Sequence, residues 1–188
     1  MTDETELIRI AQTQVGQHAF STLIKNYQGK VRSFLFRLSE SRAMTDDLAQ
    51  DTFIQAYRKL FTFRGDSSFQ TWLLAIAYRS FLQEMRRKKN ESLKLEKLIT
   101  ENEINPSYYE SVSVEQLDLE RAMLHLSHHE IAAISLCATF GCSHADTASV
   151  LKMPLGTVKT HIRRGKSKLK KLLIEQNQNN GLGGEHDL

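Results

Sequence analysis

The residues best suited to chemistry lie in the string LKMPLGTVKTHIRRGKSKLKKLL at positions 151–173. Pro154 and Gly156 interrupt the preceding helical pattern, and Thr157 is placed to cap a new helix. At about 100° per residue, Val158, Ile162, Gly165, Leu169, Leu172 and Leu173 share one arc. Thr160, Arg163, Arg164, Ser167 and Lys171 occupy the opposite arc. One face is built to dock on protein, and the other presents guanidinium, ammonium and hydroxyl groups. Such a face suits the major groove of DNA, with cations for phosphates and donors for base edges. A solvated helix face would explain a charge run alone, so the segments that position this helix decide the matter.

Upstream, apolar periodicity predicts a helix from His128 to Phe140 and a turn at residues 141–143. A short helix follows from His144 to Lys152, with Ala145, Ala148 and Leu151 on its inner side. The turn at Met153–Gly156 then launches the basic helix. This is the arrangement of a helix-turn-helix unit, whose second helix enters the major groove with its first turns nearest the bases.

The first part of the chain, residues 4–89, also reads as helical. Phe20, Leu23, Ile24, Tyr27, Val31, Phe34, Leu35 and Leu38 recur at helical spacing. After a polar break at 39–44, Thr45 is placed to cap a helix with Leu48, Thr52, Phe53, Ala56, Tyr57 and Leu60 on its buried stripe. A loop at 61–68 leads into a further helix carrying Trp72, Leu73, Ala75, Ile76 and Tyr78. That helix is expected to end at Arg86–Lys89, where cations favour the negative end of the helix dipole.

Residues 90–115 have weak periodicity and many carboxylates, and read as an extended acidic linker. A second helical domain covers 116–174, and the Gln/Asn/Gly-rich tail at 175–188 reads as disordered. The fold class is therefore all-α: two small helical domains joined by an extended acidic linker, the second a helix-turn-helix domain. The net charge of +3 on 188 residues conceals opposed blocks. Acidic residues dominate from Glu91 to Glu120, and none occurs from Lys152 to Lys171.

Other chemistries fit the sequence poorly. His125, His128, His129, Cys137, Cys142 and His144 lack a compact metal-ligand spacing, so no metal or other cofactor is expected. Cys137 lies in an apolar run and reads as a small packing residue. Neither a phosphate-binding glycine loop nor a nucleophile motif occurs, which argues against an enzyme. The longest apolar run, Trp72 to Tyr78, is too short to span a bilayer. The acidic amino-terminal residues show no secretion pattern, so a cytoplasmic protein without membrane insertion is expected.

The 128–173 region resembles region four of bacterial sigma factors, and also the DNA-binding domain of LuxR-type activators. The first domain separates them. DDLAQDTFIQAY at 46–57 and FRGDSSFQTWLLAIAY at 63–78 resemble region two of the extracytoplasmic-function (ECF) sigma factors. The family pattern there is a DLxQExF helix, an FRG-type loop and an FxTWLxxIAxN helix. A LuxR-like transcriptional activator remains the alternative. The chain departs from the family pattern in several places: Asp51 replaces glutamate, Tyr78 and Arg79 replace a residue-plus-asparagine pair, and Asp146-Thr147 replaces Glu-Ile. Gly165 stands where alanine is usual, at some cost in helix propensity.

The resemblance implies an alternative sigma factor that binds core RNA polymerase through its β and β′ subunits and directs promoter-specific initiation. It assigns polymerase binding to Asp47, Gln50 and Asp51, with Leu48 and Phe53 supporting the helix. It assigns the melted minus-ten element to Phe63, Arg64, Ser67, Ser68, Phe69, Trp72 and Arg79, with Trp72 mainly packing. Arg79, Arg86 and Arg87 are candidates for phosphates or for the helix dipole. The double-stranded minus-thirty-five element falls to Thr157, Lys159, Thr160, Arg163, Arg164 and Lys166. The resemblance further implies an anti-sigma factor as partner, and a linker, with Glu101, Glu103 and Glu110, that threads a basic polymerase channel.

Overall fold

The computed structural model describes residues 3–13, 16–95, 119 and 122–181, and among them every regular element is helical. They fall into two units, which are taken separately. In the first, α1 (Glu4–Ala11), α2 (Gln17–Ser39), α3 (Arg42–Lys59) and α4 (Phe69–Leu95) surround one core. From α2 that core takes Leu23, Val31, Phe34, Leu35 and Leu38, from α3 Leu48 and Ala56, and from α4 Leu73, Leu74, Ile76, Tyr78 and Phe81, all at most 5 % exposed. Each large apolar side chain so buried contributes about 1.5–3 kcal/mol relative to exposure.

Local chemistry sets the boundaries. Glu40, at φ +54°, ends α2 in the left-handed region. Ser41 then caps α3 by accepting from the Met44 amide at 3.4 Å, so Thr45 is not the cap: it sits one turn in, buried, its hydroxyl 2.9 Å from that of Ser39. Helix α4 runs through Leu95 rather than ending at Lys89, because no proline or glycine interrupts it. The basic run at 86–89 is therefore interior to the helix, and Arg87 is held by Glu84 at 2.7 Å and Glu91 at 2.8 Å, not by the helix terminus. The remainder of the expected linker, with Glu101, Glu103 and Glu110, lies outside the described residues.

Helix α1 is tied to α2 by the Tyr27 hydroxyl, which donates to Glu4 Oε2 at 2.5 Å. Burial, and then the hydrogen bond and charge of Glu4, hold this phenol above the ordinary tyrosine range. Beyond the end of α1, the Gln12 side-chain amide donates to two carbonyls, Leu60 O at 3.0 Å and Phe63 O at 2.9 Å. It thereby pins the 3₁₀ turn Leu60–Thr62 that follows α3.

The second unit contains α5 (His128–Ile134), α6 (His144–Leu151) and α7 (Leu155–Gly181). Helix α5 does not continue regularly to Phe140: its chain widens into a π turn at Ser135–Thr139, where Phe140 N donates to Ser135 O at 3.1 Å. Serine opens both short helices with a reciprocal cap, Ser127 with Glu130 and Ser143 with Asp146. On α6 the buried side chains are Thr147, Val150 and Leu151, while Ala145 is exposed and Ala148 half-buried, which corrects the expected inner face. Thr147 tolerates full burial because its hydroxyl lies 3.2 Å from Cys137 Sγ. Helix α7 starts at Leu155, with the Pro154 carbonyl accepting from Thr157 and Val158, so Thr157 lies in the first turn and is not its cap. It runs through Gly181, well into the tail expected to be disordered at 175–188. Gln and Asn without proline extend a helix already anchored by packing more readily than they start one. Residues 182–188 lie outside the described residues.

Helices α5 and α7 meet at Gly165. A Cβ there would lie 2.5 Å from Ile134 Cδ1 and 3.3 Å from both Glu130 Cβ and Leu126 Cδ2. Close approach thus accounts for glycine at a position where helix propensity favours alanine. Beside this contact Glu130, only 4 % exposed, pairs with Lys168 at 2.8 Å. Burial pushes its carboxyl up, but the Lys168 hydrogen bond and the Ser127 cap outweigh that and hold it below the ordinary value of 4.5. A carboxylate depressed on folding stabilises fully above its unfolded pKa, and the contribution disappears as pH falls through the folded pKa. Glu130→Gln is therefore expected to destabilise at pH 7, with the gap to the parent protein narrowing as pH falls below about 4.5. Urea unfolding followed by circular dichroism at both pH values measures that gap; a gap constant with pH would contradict the assignment.

Candidate nucleic-acid and protein interfaces

In the second unit the apolar arc of α7 faces inward as patterned: Val158 is fully buried and Ile162 is 7 % exposed. Thr157, Lys159, Arg163, Arg164 and Lys166 are exposed, and Thr160 is half-buried with its hydroxyl donating to Gly156 O at 2.9 Å. Five of the six predicted residues are therefore exposed on one helix, and the sixth is half-buried. His161, between them, stacks at 5.6 Å on His129 of α5, which joins the basic helix to its scaffold. Burial, followed by the charges of His161 and His128, keeps His129 below the ordinary histidine range. The resulting surface offers cations and a hydroxyl with no carboxylate in the same stretch, the chemistry that a phosphate backbone and guanine edges require.

In the first unit, Thr62, Phe63, Arg64, Asp66, Ser67 and Trp72 line an open cleft of about 440 Å³. Its wall is aromatic: Phe63 lies 5.4 Å from Trp72 and 5.6 Å edge-on from Phe69. Phe69 itself is only 2 % exposed and packs also on Tyr27 at 5.4 Å, so it supports the cleft from the core. Ser68 does not line the cleft; its hydroxyl accepts from the Thr71 amide at 3.0 Å at the start of α4. Trp72 is half-buried, packs on Phe63 and also lines the cleft. Gly65, at φ +81°, makes the turn that opens the loop. Trp72, Arg79 and Arg86 recur every seven residues and so share one face of α4, leading away from the cleft. Tyr78, by contrast, is 1 % exposed, and burial pushes its hydroxyl up to about 12.

The third predicted cluster lies on α3. Asp47, Gln50 and Asp51 are exposed, Leu48 is buried and Phe53 is half-buried against Phe20, Leu23 and Leu73. Asp47 and Asp51 border an open groove of about 800 Å³ between α3 and α4, whose other side carries Arg86, Arg87 and Lys88. The Gln55 amide donates to Asp51 Oδ2 at 2.8 Å and to Ser80 Oγ at 3.1 Å, fixing the shortened carboxylate from α4. Sequence reasoning passed over Gln55 and Gln12, and named the loop at 61–68 without singling out the strongly exposed Phe61. The partners of Gln12 are some fifty residues away, beyond any local pattern.

Two family descriptions match the chain: sigma-70 region 2 over residues 23–91 and sigma-70 region 4 over residues 116–169. RNA polymerase sigma factor YlaC of Bacillus subtilis is 31 % identical over 160 residues, covering 83 % of this chain and 92 % of that protein. The ECF RNA polymerase sigma-E factor of Haemophilus influenzae is 32 % identical over 179 residues, covering 88 % and 92 %. The chain belongs to the ECF sigma factors. Among solved structures it resembles sigma factor RpoE of Bartonella quintana, in complex with the anti-sigma factor NepR, at 28 % identity and a TM-score of 0.68, covering 82 % of this chain and 96 % of that one. As an alternative sigma factor it directs transcription initiation, and sigma factors bind core RNA polymerase and promoter DNA. Nothing favours the LuxR-like alternative. Among the described residues no helix is long and apolar enough to cross a membrane.

The cleft depends on Gly65. An L side chain in the left-handed region costs about 1–2 kcal/mol, so Gly65→Ala is expected to lower the stability of the first unit by about that much. Gly29, in mid-α2 with open space around its missing Cβ, gives the opposite expectation: alanine there stabilises by up to about 1 kcal/mol. Trp72 is the sole tryptophan, and its fluorescence during urea unfolding reports the unit that holds both glycines.

Proposed function

We propose that this ECF sigma factor divides promoter recognition between its two units and contacts the polymerase through α3. In this reading Asp47, Gln50 and Asp51 meet the β′ subunit, and Leu48 and Phe53 hold that face in place. The cleft around Phe63, Arg64, Ser67 and Trp72 takes a base of the melted minus-ten element, with Ser68 and Phe69 shaping it. Arg79 and Arg86 follow the strand by its phosphates; Arg87, already neutralised by Glu84 and Glu91, is set aside. Lys159, Thr160, Arg163 and Arg164 face the minus-thirty-five element, with Thr157 and Lys166 on phosphates.

The observation that supports this best is one chain with two nucleic-acid-competent surfaces of different kinds. A convex cationic helix suits a duplex groove, whereas a small aromatic-walled cleft suits a base out of its stack. The domain division proposed is residues 4–89, extended by the α4 helix to 95, for the first unit and 116–174 for the second, with the acidic segment between as a connector. The protein catalyses no reaction of its own and works in the cytoplasm, where core polymerase is found. An anti-sigma factor is proposed as a further partner, by analogy with the RpoE–NepR complex.

Run-off transcription with purified core polymerase tests the reading: the chain alone should confer specific initiation. Reversing Asp47 and Asp51 to lysine should abolish that activity by preventing core association, measured by gel filtration, while leaving the helical circular-dichroism signal intact. Arg163→Ala or Arg164→Ala should weaken promoter binding by about 1–3 kcal/mol if the side chain reads a guanine. A base contact shows as a loss confined to promoters carrying that guanine; a uniform loss across promoters, with a smaller salt dependence, marks a phosphate contact instead.

A further inference from the structure

Two histidines face each other where the basic helix meets its scaffold. His129, in the first turn of α5, and His161, on α7, stack with ring centroids 5.6 Å apart and planes 24° from parallel. Both are half-buried. His129 stands directly before buried Glu130 and His161 directly before buried Ile162, so both rings grow from backbone anchored in the core. The charged groups around the pair are mostly of one sign. His128 adjoins His129 on α5, and His125 lies four residues before it. On α7, Lys159, Arg163 and Arg164 flank His161. Helix α6 brings His144 and Asp146, with Lys152 at its C-terminal cap, and Asp146 is taken by Ser143. The carboxylate next in sequence, Glu130, accepts from Ser127 N at 2.9 Å and from Lys168 Nζ at 2.8 Å. Among the described residues no carboxylate pairs with either ring.

We propose that His129 is a positioning residue for the minus-thirty-five helix, acting through His161, and that the pair makes recognition of that element sensitive to acid. The inference rests on the minus-thirty-five reading of α7. Neutral imidazoles stack face to face without charge repulsion. Protonating both rings puts two like charges 5.6 Å apart within a surface that is already cationic. His129 also sits at the positive end of the α5 dipole, where a further cation is disfavoured. That cost falls on the contact that seats α7, so the charged rings separate and the reading face loses its bearing on the scaffold. Burial, then the charges of His161 and His128, hold His129 below the ordinary 6.5. A histidine lowered on folding stabilises fully above its unfolded pKa, and the contribution is lost as pH falls through the folded pKa. The loss therefore comes on the acid side of neutrality. The cleft of the first unit has no histidine in its lining, so the minus-ten contact serves as an internal reference.

The test uses holoenzyme assembled from the full chain and core polymerase, with a promoter that the wild-type holoenzyme transcribes. Affinity is measured for the intact promoter and for the same DNA with its minus-thirty-five element scrambled, at about pH 8 and about pH 5.5. The ratio of the two affinities separates α7 from every other pH-dependent step. In wild type it should fall on acidification by on the order of fivefold. His129→Phe and His161→Phe keep a flat ring with no proton to gain, so each should hold the wild-type ratio at the higher pH and lose the fall. His129→Ala, without a ring, should lower the ratio at both pH values. His129→Gln, neutral and polar, should give a low, flat ratio, and keeps the test valid where phenylalanine prevents folding, as circular dichroism shows. A wild-type ratio that stays level or rises with acid overturns the proposal, a rise marking histidine as a phosphate contact. A fall retained by the folded variants at His129 places the titrating group elsewhere and overturns it too. An alanine variant with an undiminished ratio at the higher pH shows that the stack positions nothing. Wild-type holoenzyme that does not distinguish the two templates at the higher pH refutes the minus-thirty-five reading, and the histidine pair's role with it.

Discussion

A helix leaves its first amide groups without intrahelical partners, and the candidate surfaces of this protein all sit near such helix starts. Serine supplies the missing acceptor at four of them. Ser41 opens α3, the helix that carries Asp47, and Ser68 opens α4 beside the cleft. Ser127 and Ser143 open the two scaffold helices of the second unit, each in a reciprocal cap with an acid three residues on. Replacing such a cap by alanine costs about 0.5–2 kcal/mol, a small part of the stability of a domain but enough to let a first turn fray. At a surface that must present side chains in register, fraying displaces the ligand-facing groups before it unfolds anything. The basic helix uses backbone instead, through the Pro154 carbonyl. Its first-turn hydroxyl on Thr157 thus stays available to a ligand.

What was legible in the sequence was what depends on period and spacing. The stripe of Val158 and Ile162, the core positions of α2, and the outward cluster on α7 all follow from angles along a single helix. Where the reading failed, a residue a few positions away or a distant contact decided the outcome. Thr45 and Ser41 are both good caps, and the left-handed Glu40 between α2 and α3 chose Ser41. The basic run at 86–89 resembled a helix end, yet cations alone do not end a helix, and no proline or glycine stands before Leu95. Phe69 reads as a loop-edge aromatic in one dimension and as core in three, since Tyr27 and Phe63 close over it. The bracing of the loop by Gln12 has no local signature at all.

The departures from the family pattern acquire physical reasons once their neighbours are visible. Asp146 completes the cap with Ser143, a task for which its short side chain suffices. Thr147 meets Cys137, so a hydroxyl in place of the usual isoleucine is buried without being left unpaired. Gly165 gives up helix propensity for a close approach that a Cβ would obstruct, and the same contact brings Lys168 within reach of buried Glu130. Asp51, shorter than glutamate, is held by Gln55, which Ser80 holds in turn. In two of these cases, Thr147 and Gly165, the partner comes from a different element; for Asp146 it lies at the cap of the same helix, and for Asp51 on the same helix one turn on.

The pattern separates rigidity from recognition. Exposed side chains on α3, the loop and α7 make few commitments within the protein, whereas the atoms that aim them are hydrogen-bonded or buried. Gln12 holds the turn beneath Phe61, the Phe63–Phe69–Trp72 cluster holds the cleft wall, and the His129–His161 stack joins α7 to its scaffold. A surface arranged in this way pays its ordering cost during folding, so that binding energy is not consumed in arranging the protein. Opening a duplex is costly, and a DNA-binding factor favours the open state by binding it better than the closed one. The base-binding role proposed for the cleft would meet that demand directly: such a cleft has no use on paired, stacked DNA, so whatever free energy it contributes would fall on the melted form.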